Sequence, residues 1–142
     1  MQELSQTDRR LLAALRDNAR ASITELAHAA GVSRTTVKTR MDALLAEGRI
    51  RRFTIDTEEE DPNLIRAICT VELEGSMSRS VVRTLKALPE ISMIYSTNGA
   101  WDLVLEIQAD NLRHFDRVLR EIREVKGVLN SETSLLLRSM GG

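Results

Sequence analysis

The hydroxyl-bearing and basic side chains between residues 33 and 40 are the strongest candidates for chemistry in this sequence. They are not interrupted by any acidic residue, and they comprise Ser33, Arg34, Thr35, Thr36, Lys38, Thr39 and Arg40. Cationic side chains bind phosphate oxygens, and Arg, Ser and Thr also form hydrogen bonds with the edges of DNA bases. We therefore predict phosphate contacts for Lys38 and Arg40, and base contacts for Arg34, Thr35, Thr36 and Thr39.

A helix-turn-helix is the element that must position these side chains. Ser22 to Glu25 has the pattern of a capping box, which begins a helix that carries Ile23 inward, and Gly31 suits the left-handed conformation that ends a helix. Ser33 is a second N-cap. The helix that follows has one apolar stripe of Val37, Met41, Leu44 and Leu45 and ends at Gly48. Such a helix enters a major groove with its N-terminus first. The alternative is an ordinary pair of helices joined by a glycine turn.

The residues on either side complete a winged helix-turn-helix over residues 1–55. Ser5 caps a first helix with Asp8 at its third position, and Leu11, Leu12 and Leu15 form its apolar face. After Gly48, residues 50–55 are rich in β-formers and predict a short wing. Arg51 and Arg52 would then lie near the sugar-phosphate backbone of DNA. The alternative is a solvated strand end.

Charge divides the chain into two parts. Residues 1–56 contain ten Lys and Arg against seven Asp and Glu, whereas the remaining residues contain ten against fourteen. Residues 56–63 contain five acids, a proline and no apolar side chain, which is typical of a linker. We therefore predict that double-stranded DNA binds the first part and that a second domain spans residues 64–142.

The periodicity after the linker changes from helical to alternating. It predicts strands at 67–73, 91–97, 101–109 and 128–137 and helices around 81–88 and 112–125, with Asn98-Gly99 as the turn of a hairpin. This β-α-β-β-α-β order indicates a ferredoxin-like plait and an α+β fold class. Because both helices of a plait cover one face and several strands look apolar on both, we expect the open face to pair with another copy.

An enzyme is the main competing interpretation. His28 and His114 fall in different predicted domains without a Ser or Cys partner at an informative spacing, and Cys69 alternates with small core residues. No glycine pattern suggests a nucleotide site. We therefore expect no catalytic residues, no cofactor and no metal. A single cysteine, the lack of a secretory signal and the lack of an apolar run near ~18 residues indicate a cytoplasmic protein without a membrane partner.

The order of motifs resembles the Lrp/AsnC family of transcriptional regulators along nearly the whole chain. The matching segments are Leu4 to Leu12, Glu25-Leu26-Ala27, Gly31-Val32-Ser33, then Val37, Arg40, Leu44, Gly48 and Ile50, with Gly99-Ala100-Trp101-Asp102 and Gly127-Val128 in the second domain. The acidic linker departs from the family pattern. A tetrapyrrole (siroheme-type) decarboxylase with the same two domains is the alternative function, and a stand-alone assembly module is a third.

The family's second domain binds small effectors, which are mostly amino acids, and it assembles dimers into tetramers, octamers or larger rings. The resemblance implies the same for this chain. It places the effector between dimers, at Asn98, Gly99, Ala100, Trp101, Asp102, Ser131 and Thr133. The backbone near Gly99 would hold a carboxylate and Asp102 would pair with an ammonium. The alternative is that Asn98-Gly99 is only a turn and Asp102 a solvated residue.

Overall fold

The chain forms two compact units that divide after Thr57. The computed structural model describes residues 3–57 and 61–141. The division falls inside the predicted acidic linker at 56–63, of which residues 58–60 lie outside the described part. The predicted domain bounds at 55 and 64 stay predictions.

The first unit consists of three helices, each of which begins after a serine. Helix α1 spans Gln6–Asp17, α2 spans Ile23–Ala30 and α3 spans Arg34–Ala46. The hydroxyl oxygens of Ser5, Ser22 and Ser33 each accept a hydrogen bond from the backbone N–H three residues later, at 3.1 Å. A helix cannot satisfy these first N–H groups internally, so the three serines fix where the helices start.

The apolar faces of the three helices meet in one small core. Its buried members are Leu11, Leu15, Leu26, Ala27, Ala30 and Val37. Ile23 and Leu45, predicted to face inward, are 38% and 42% exposed. Ile23 occupies the first position of α2, and Leu45 is turned about 100° round the helix from the buried Leu44. The predicted capping box at Ser22 is also only half formed, because the exposed Glu25 carboxylate stays in solvent instead of folding back.

The wing strand predicted at residues 50–55 is not formed. Gly48 adopts a φ of 71°, and the Ile50 N–H donates to the Leu44 carbonyl at 3.0 Å, which turns the chain back against the end of α3. Residues 51–57 are then exposed, and within the described residues no strand pairs with them. A β-rich composition does not make a strand by itself, since a strand without a neighbour leaves its backbone groups unpaired.

The second unit has the predicted β-α-β-β-α-β order. Its elements are β1 Ile65–Leu73, α4 Ser78–Lys86, β2 Ile91–Ser96, β3 Leu103–Ala109, α5 Leu112–Glu124 and β4 Val128–Leu135. The sheet order is β2-β3-β1-β4, and every neighbouring pair is antiparallel. Alternate residues of β1 and β3 pack against α4 and α5 in a core that includes Cys69, Val71, Leu105, Val81, Leu85, Val118 and Ile122, all fully buried.

The opposite face of the sheet is mixed in polarity, which corrects the expectation of an apolar face. It carries four neighbouring apolar or aromatic side chains from three strands, namely Ile68, Met93, Tyr95 and Val104. Charged and amide side chains occupy other positions on the same face, namely Arg66, Glu72, Glu106, Gln108 and Glu132. Strict alternation along β2 would place Ile91 and Ile94 on opposite faces. An irregularity between Ile91 and Met93 places both on the core side, so the open face is less apolar than predicted.

Of two glycine-containing loops in the second unit, only the one before β4 requires its glycine. Gly127 has a φ of 106°, and a Cβ there would lie 2.7 Å from Val81 Cγ2, so only glycine lets the loop before β4 pass this close to α4. Gly99 has no positive φ, because residues 97–102 form a six-residue connection instead of the predicted two-residue turn.

Candidate nucleic-acid interface and effector loop

The N-terminal turn of α3 has its own hydroxyl network. Ser33 Oγ accepts from the Thr36 N–H at 3.1 Å, and the two hydroxyl oxygens are 2.9 Å apart. Ser33 and Thr36, both predicted to contact DNA, therefore bond to each other at the start of the helix. The spacing Ser-x-x-Thr carried this signal, since a polar residue three positions after an N-cap can return a bond to it.

The outward face of α3 carries the remaining predicted base and phosphate ligands. Arg34, Thr35, Lys38 and Thr39 are all exposed, whereas Val37 and Leu44 on the opposite side are fully buried. Among the described residues, neither Lys38 nor Arg34 has an ion pair. The helix N-terminus adds a partial positive charge at this end. The exposed Asp42 in the next turn ends the basic character, so the basic face covers only the first two turns of α3.

Arg40 differs from these residues because its guanidinium is held inside the first unit. Its Nε donates to Asp8 Oδ1 at 2.8 Å and its Nη2 donates to Asp8 Oδ2 at 2.9 Å, which is a two-bond fork. The Ser5 N–H also donates to Asp8 Oδ2, at 3.4 Å. The bond from Arg40 is the main cause that lowers the pKa of the Asp8 carboxyl, against the effect of burial, and Asp8 in turn raises the pKa of Arg40.

The position of Arg40 on the helix agrees with this contact. Arg40 lies three residues after Val37 and four before Leu44, so it shares the side of α3 that faces the core and not the side of Lys38. The sequence predicted a phosphate contact for Arg40 from its charge and its place alongside the basic front of the helix. That assignment stays a prediction. Arg51 and Arg52, the other predicted backbone ligands, are exposed in the segment without regular structure.

The connection between β2 and β3 is ordered by Asp102. The Asp102 N–H donates to the Val71 carbonyl at 2.9 Å, and its Oδ2 accepts from the Leu73 N–H at 2.8 Å. Leu73 lies where the register between β1 and β4 shifts. Asp102 was predicted to pair with the ammonium group of an effector, and one of its carboxylate oxygens is already bonded to the backbone of β1.

Thr97 is a residue of this loop that the sequence analysis missed. Its hydroxyl donates to the Trp101 carbonyl and accepts from the Gly99 N–H at 3.3 Å. The Thr97 N–H donates to the Asp102 carbonyl at 3.0 Å, which closes the loop. A threonine two residues before a glycine was the available signal. Asn98, Gly99 and Ala100 are exposed at the tip, and Trp101 is half-buried.

Ser131 and Thr133 lie near the same end of the sheet but across β1 from the loop. Ser131 is paired with Val71, to which Asp102 also bonds, and Thr133 is paired with Cys69. Both are half-buried on the side of the sheet that the helices cover. Adjacent strands are about 4.8 Å apart, so β1 separates the two halves of the predicted site by roughly two strand spacings.

The residues considered for catalysis have other contacts. Cys69 is fully buried, and burial raises the pKa of its thiol. His114 Nδ1 accepts from the Asp110 N–H, which leaves Nε2 to donate to Glu90 Oε1 at 2.8 Å; this bond is the main cause that lowers the pKa of Glu90. No helix among residues 3–57 and 61–141 is long and apolar enough to cross a membrane.

Two family models match most of the chain. Residues 4–51 match a winged helix-turn-helix DNA-binding model, and residues 66–141 match the Lrp/AsnC ligand binding domain. The unit boundary after Thr57 lies in residues 52–65, between the two matches.

Similar proteins carry the names of regulators. The chain is 30% identical over 139 residues to the HTH-type transcriptional regulator LysM of Sulfurisphaera tokodaii, which covers 97% of this chain and 98% of that one. It is 35% identical over 130 residues to an uncharacterised HTH-type transcriptional regulator of Pyrococcus horikoshii, over 88% and 87% of the two chains. A transcriptional regulator of Neisseria meningitidis, solved in complex with L-Met, has the same fold, with a TM-score of 0.77 and 22% identity over 99% and 94%. These names give the decarboxylase alternative no support.

Proposed function

Because the chain belongs to the Lrp/AsnC family of transcriptional regulators, we propose that it reads a specific duplex DNA sequence with α3 and responds to a small amino acid bound by its second unit. The observation that carries the DNA part is the exposed, unpaired face of Arg34, Thr35, Lys38 and Thr39 opposite a buried face. Arg34, Thr35 and Thr39 address base edges, Lys38 and the arginines at 51 and 52 address phosphates, and Ser33 and Thr36 hold the start of the helix.

An operator selected from a random duplex library provides the test of this assignment. Replacing a base contact should cost about 1–3 kcal/mol at one base position, whereas replacing a phosphate contact should weaken all sequences alike. Arg34→Ala is therefore expected to relax the preference at one operator position. Arg113→Ala, an exposed arginine of α5, is the matched control. Operator binding by Arg34→Ala and Lys38→Ala that equals the unmodified chain would show that α3 is not the recognition helix.

We propose a dimer that uses the open sheet face of the second unit. Ile68, Met93, Tyr95 and Val104 form an apolar centre on this face, with charged side chains around it. An apolar centre with a polar rim is the usual organisation of a protein interface.

In such a dimer, the two recognition helices would contact half-sites separated by one or more DNA turns of about 34–36 Å. Val104→Arg should give monomers in analytical ultracentrifugation, whereas Arg113→Ala should not. Further assembly into tetramers, octamers or larger rings would follow from contacts between dimers.

The effector proposal combines the loop at 98–102 with Ser131 and Thr133. A zwitterion needs an anion site and a cation site a few ångströms apart, and the regulator of Neisseria meningitidis was solved with L-Met. Apart from its chain neighbours, Gly99 has nothing closer to an added Cβ than Thr97 Oγ1 at 3.8 Å, so a carboxylate can approach the exposed loop tip, where the Gly99 N–H is already bonded to Thr97 Oγ1. The second oxygen of Asp102 remains available to an ammonium group, and a partner dimer would complete the site.

A thermal-shift screen of the amino acids identifies the effector, because a ligand that binds only the native state raises the unfolding midpoint. Thr133→Val should remove the shift produced by the best ligand. Ser134→Ala is the matched control, since Ser134 lies on the other face of the same strand. Coupling between two sites is reciprocal, so operator DNA should change the affinity for the ligand by the same factor as the ligand changes the affinity for DNA. A ligand whose affinity ignores operator DNA is not the effector.

A further inference from the structure

We propose that Asp8 is a positioning residue for DNA recognition: through Arg40 its carboxylate fixes the rotation of α3, and so the direction in which Lys38 and Thr39 face. This inference rests on the proposed function, because it assigns a task to a residue that supports the DNA-reading helix. It also replaces the phosphate contact expected for Arg40 with a contact inside the protein.

The geometry of the contact supports a role in orientation. Both nitrogens of the fork donate to separate oxygens of one carboxylate, at 2.8 and 2.9 Å. Two parallel bonds between planar groups fix direction as well as distance. The carboxylate is itself fixed at the N-terminus of α1, where Asp8 also takes part in the capping box with Ser5.

Burial makes the pair selective for one arrangement. The Asp8 side chain is 4% exposed and that of Arg40 is 35% exposed, and Asp8 is the one charged residue that is buried in the described part of the chain. A buried carboxylate is costly without its partner. Rotations of α3 that carry Arg40 away from Asp8 are therefore disfavoured.

The core of the first unit constrains the rotation of α3 less narrowly than the fork. Val37 and Leu44 are fully buried and set which side of α3 faces the core, but apolar contacts are non-directional and hold the rotation less narrowly than the fork does. Arg40 lies one and two residues after Thr39 and Lys38, so the fork holds the turn that carries them. Hydrogen bonds to base edges weaken steeply when the donor–hydrogen–acceptor angle falls. Base recognition is therefore sensitive to rotation of α3 about its axis, whereas electrostatic attraction to phosphates is not.

The first experiment compares binding to the selected operator and to an unrelated duplex of the same length. Asp8→Asn should lower operator affinity about tenfold, which is the size of one lost base contact. Affinity for the unrelated duplex should stay within about twofold, and the slope of affinity against salt should not change. Asp17→Asn, at the exposed end of α1, is the control for a change of net charge.

A double-mutant cycle tests whether the pair acts as a unit. Asp8→Asn, Arg40→Gln and the combined variant should lower operator affinity by similar factors, because each removes the same fork. Arg40→Lys keeps the charge but not the fork, so it should also lower the ratio of operator to unrelated affinity. Helical circular dichroism confirms that each variant is folded, and Arg40→Lys carries the test where Asp8→Asn does not fold.

Two outcomes overturn the inference while the proposed function stands. If Arg40→Gln weakens both duplexes equally and reduces the salt slope by about 1, Arg40 is a phosphate ligand. Asp8→Asn would then release Arg40 and leave binding as strong or stronger. If the folded Arg40→Lys and Asp8→Asn variants both keep the operator preference, the pair is only structural. Failure of the unmodified chain to prefer any sequence is a separate result, which removes the proposed function and the inference that rests on it.

Discussion

The outward face of α3 and residues 98–102 of the loop between β2 and β3 were both predicted as binding surfaces. They differ in how many of their polar side chains already bond within the protein. Along α3, Thr35, Lys38 and Thr39 project into solvent, and the backbone N–H groups from Thr36 onward already have partners. In the loop, Asp102 and Thr97 bond to the backbone and hold the loop together. A helix supplies its own backbone partners, so its outward side chains remain available for a ligand. A six-residue loop has no such ladder, and its side chains supply the bonds.

Replacing Asp102 should produce the largest loss of stability among the residues compared here. Asp102→Ala leaves the Leu73 N–H without its partner, and hydrogen bonds to charged groups are worth about 1.5–3 kcal/mol. Because Asp102 is exposed and water can replace it, we expect the lower part of this range. Trp101 is the single tryptophan and lies in the loop, so its fluorescence during urea unfolding reports on the second unit.

The same variant should lose the effector response while its binding to DNA without effector stays nearly intact. An equal loss in DNA binding without effector would show that Asp102 is structural for the whole chain and not specific to the effector loop.

The start of α3 should show the next effect. Ser33→Ala removes the N-cap, which typically costs about 1 kcal/mol, and it also leaves the Thr36 hydroxyl without its bond. Urea unfolding followed by helical circular dichroism measures this loss. Ser33→Asp restores an N-cap acceptor and should recover most of the stability. No loss for Ser33→Ala would mean that the cap is replaced by water.

The Thr97 hydroxyl should contribute a smaller amount to the loop. Thr97→Val keeps the shape of the side chain but removes the hydroxyl, so we expect a loss of about 0.5–1.5 kcal/mol in the second unit. Thr84→Val, where the hydroxyl bonds to its own helix backbone, is the control. Equal losses in both variants would remove the special role of Thr97.

Lys38 should affect stability least and salt dependence most. Lys38→Ala is expected to leave the unfolding free energy within about 0.5 kcal/mol, because surface substitutions away from specific contacts have small effects. The slope of DNA affinity against salt should fall by about 1. A stability loss as large as that of Asp102→Ala would contradict the distinction between the two surfaces.

Low pH should weaken the Asp8–Arg40 pair that holds α3, even in the unmodified chain. The pKa of Asp8 is lower in the folded state, so its contribution is complete above the unfolded value of about 3.9 and is lost as pH falls through the lowered value. Helical circular dichroism should therefore show an acid transition that is weaker in Asp8→Asn. If the unmodified protein and Asp8→Asn were equally stable from pH 2 to 7, the Asp8–Arg40 pair would not stabilise the first unit.

Local patterns determined most of the elements of this protein. The serine caps, the glycine turn at Gly31 and the two kinds of apolar periodicity predicted the three helices and the β-α-β-β-α-β order, because each depends on residues within a few positions of one another. The exposed face of α3 followed from the same periodicity. The wing strand was not formed, because a strand depends on a neighbour that local composition does not supply.

Tertiary structure decided which polar side chains are available. Arg40 meets Asp8 across 32 residues, and Asp102 meets the Leu73 backbone across 29. Neither contact has a periodicity or a spacing that a sequence can reveal, since both depend on how separate elements pack. The charge of Arg40 suggested phosphate and the charge of Asp102 suggested an ammonium group. A side chain forms its bonds with whatever donor or acceptor the fold brings nearest, and a buried or bridging position gives it a partner within the protein before any ligand arrives.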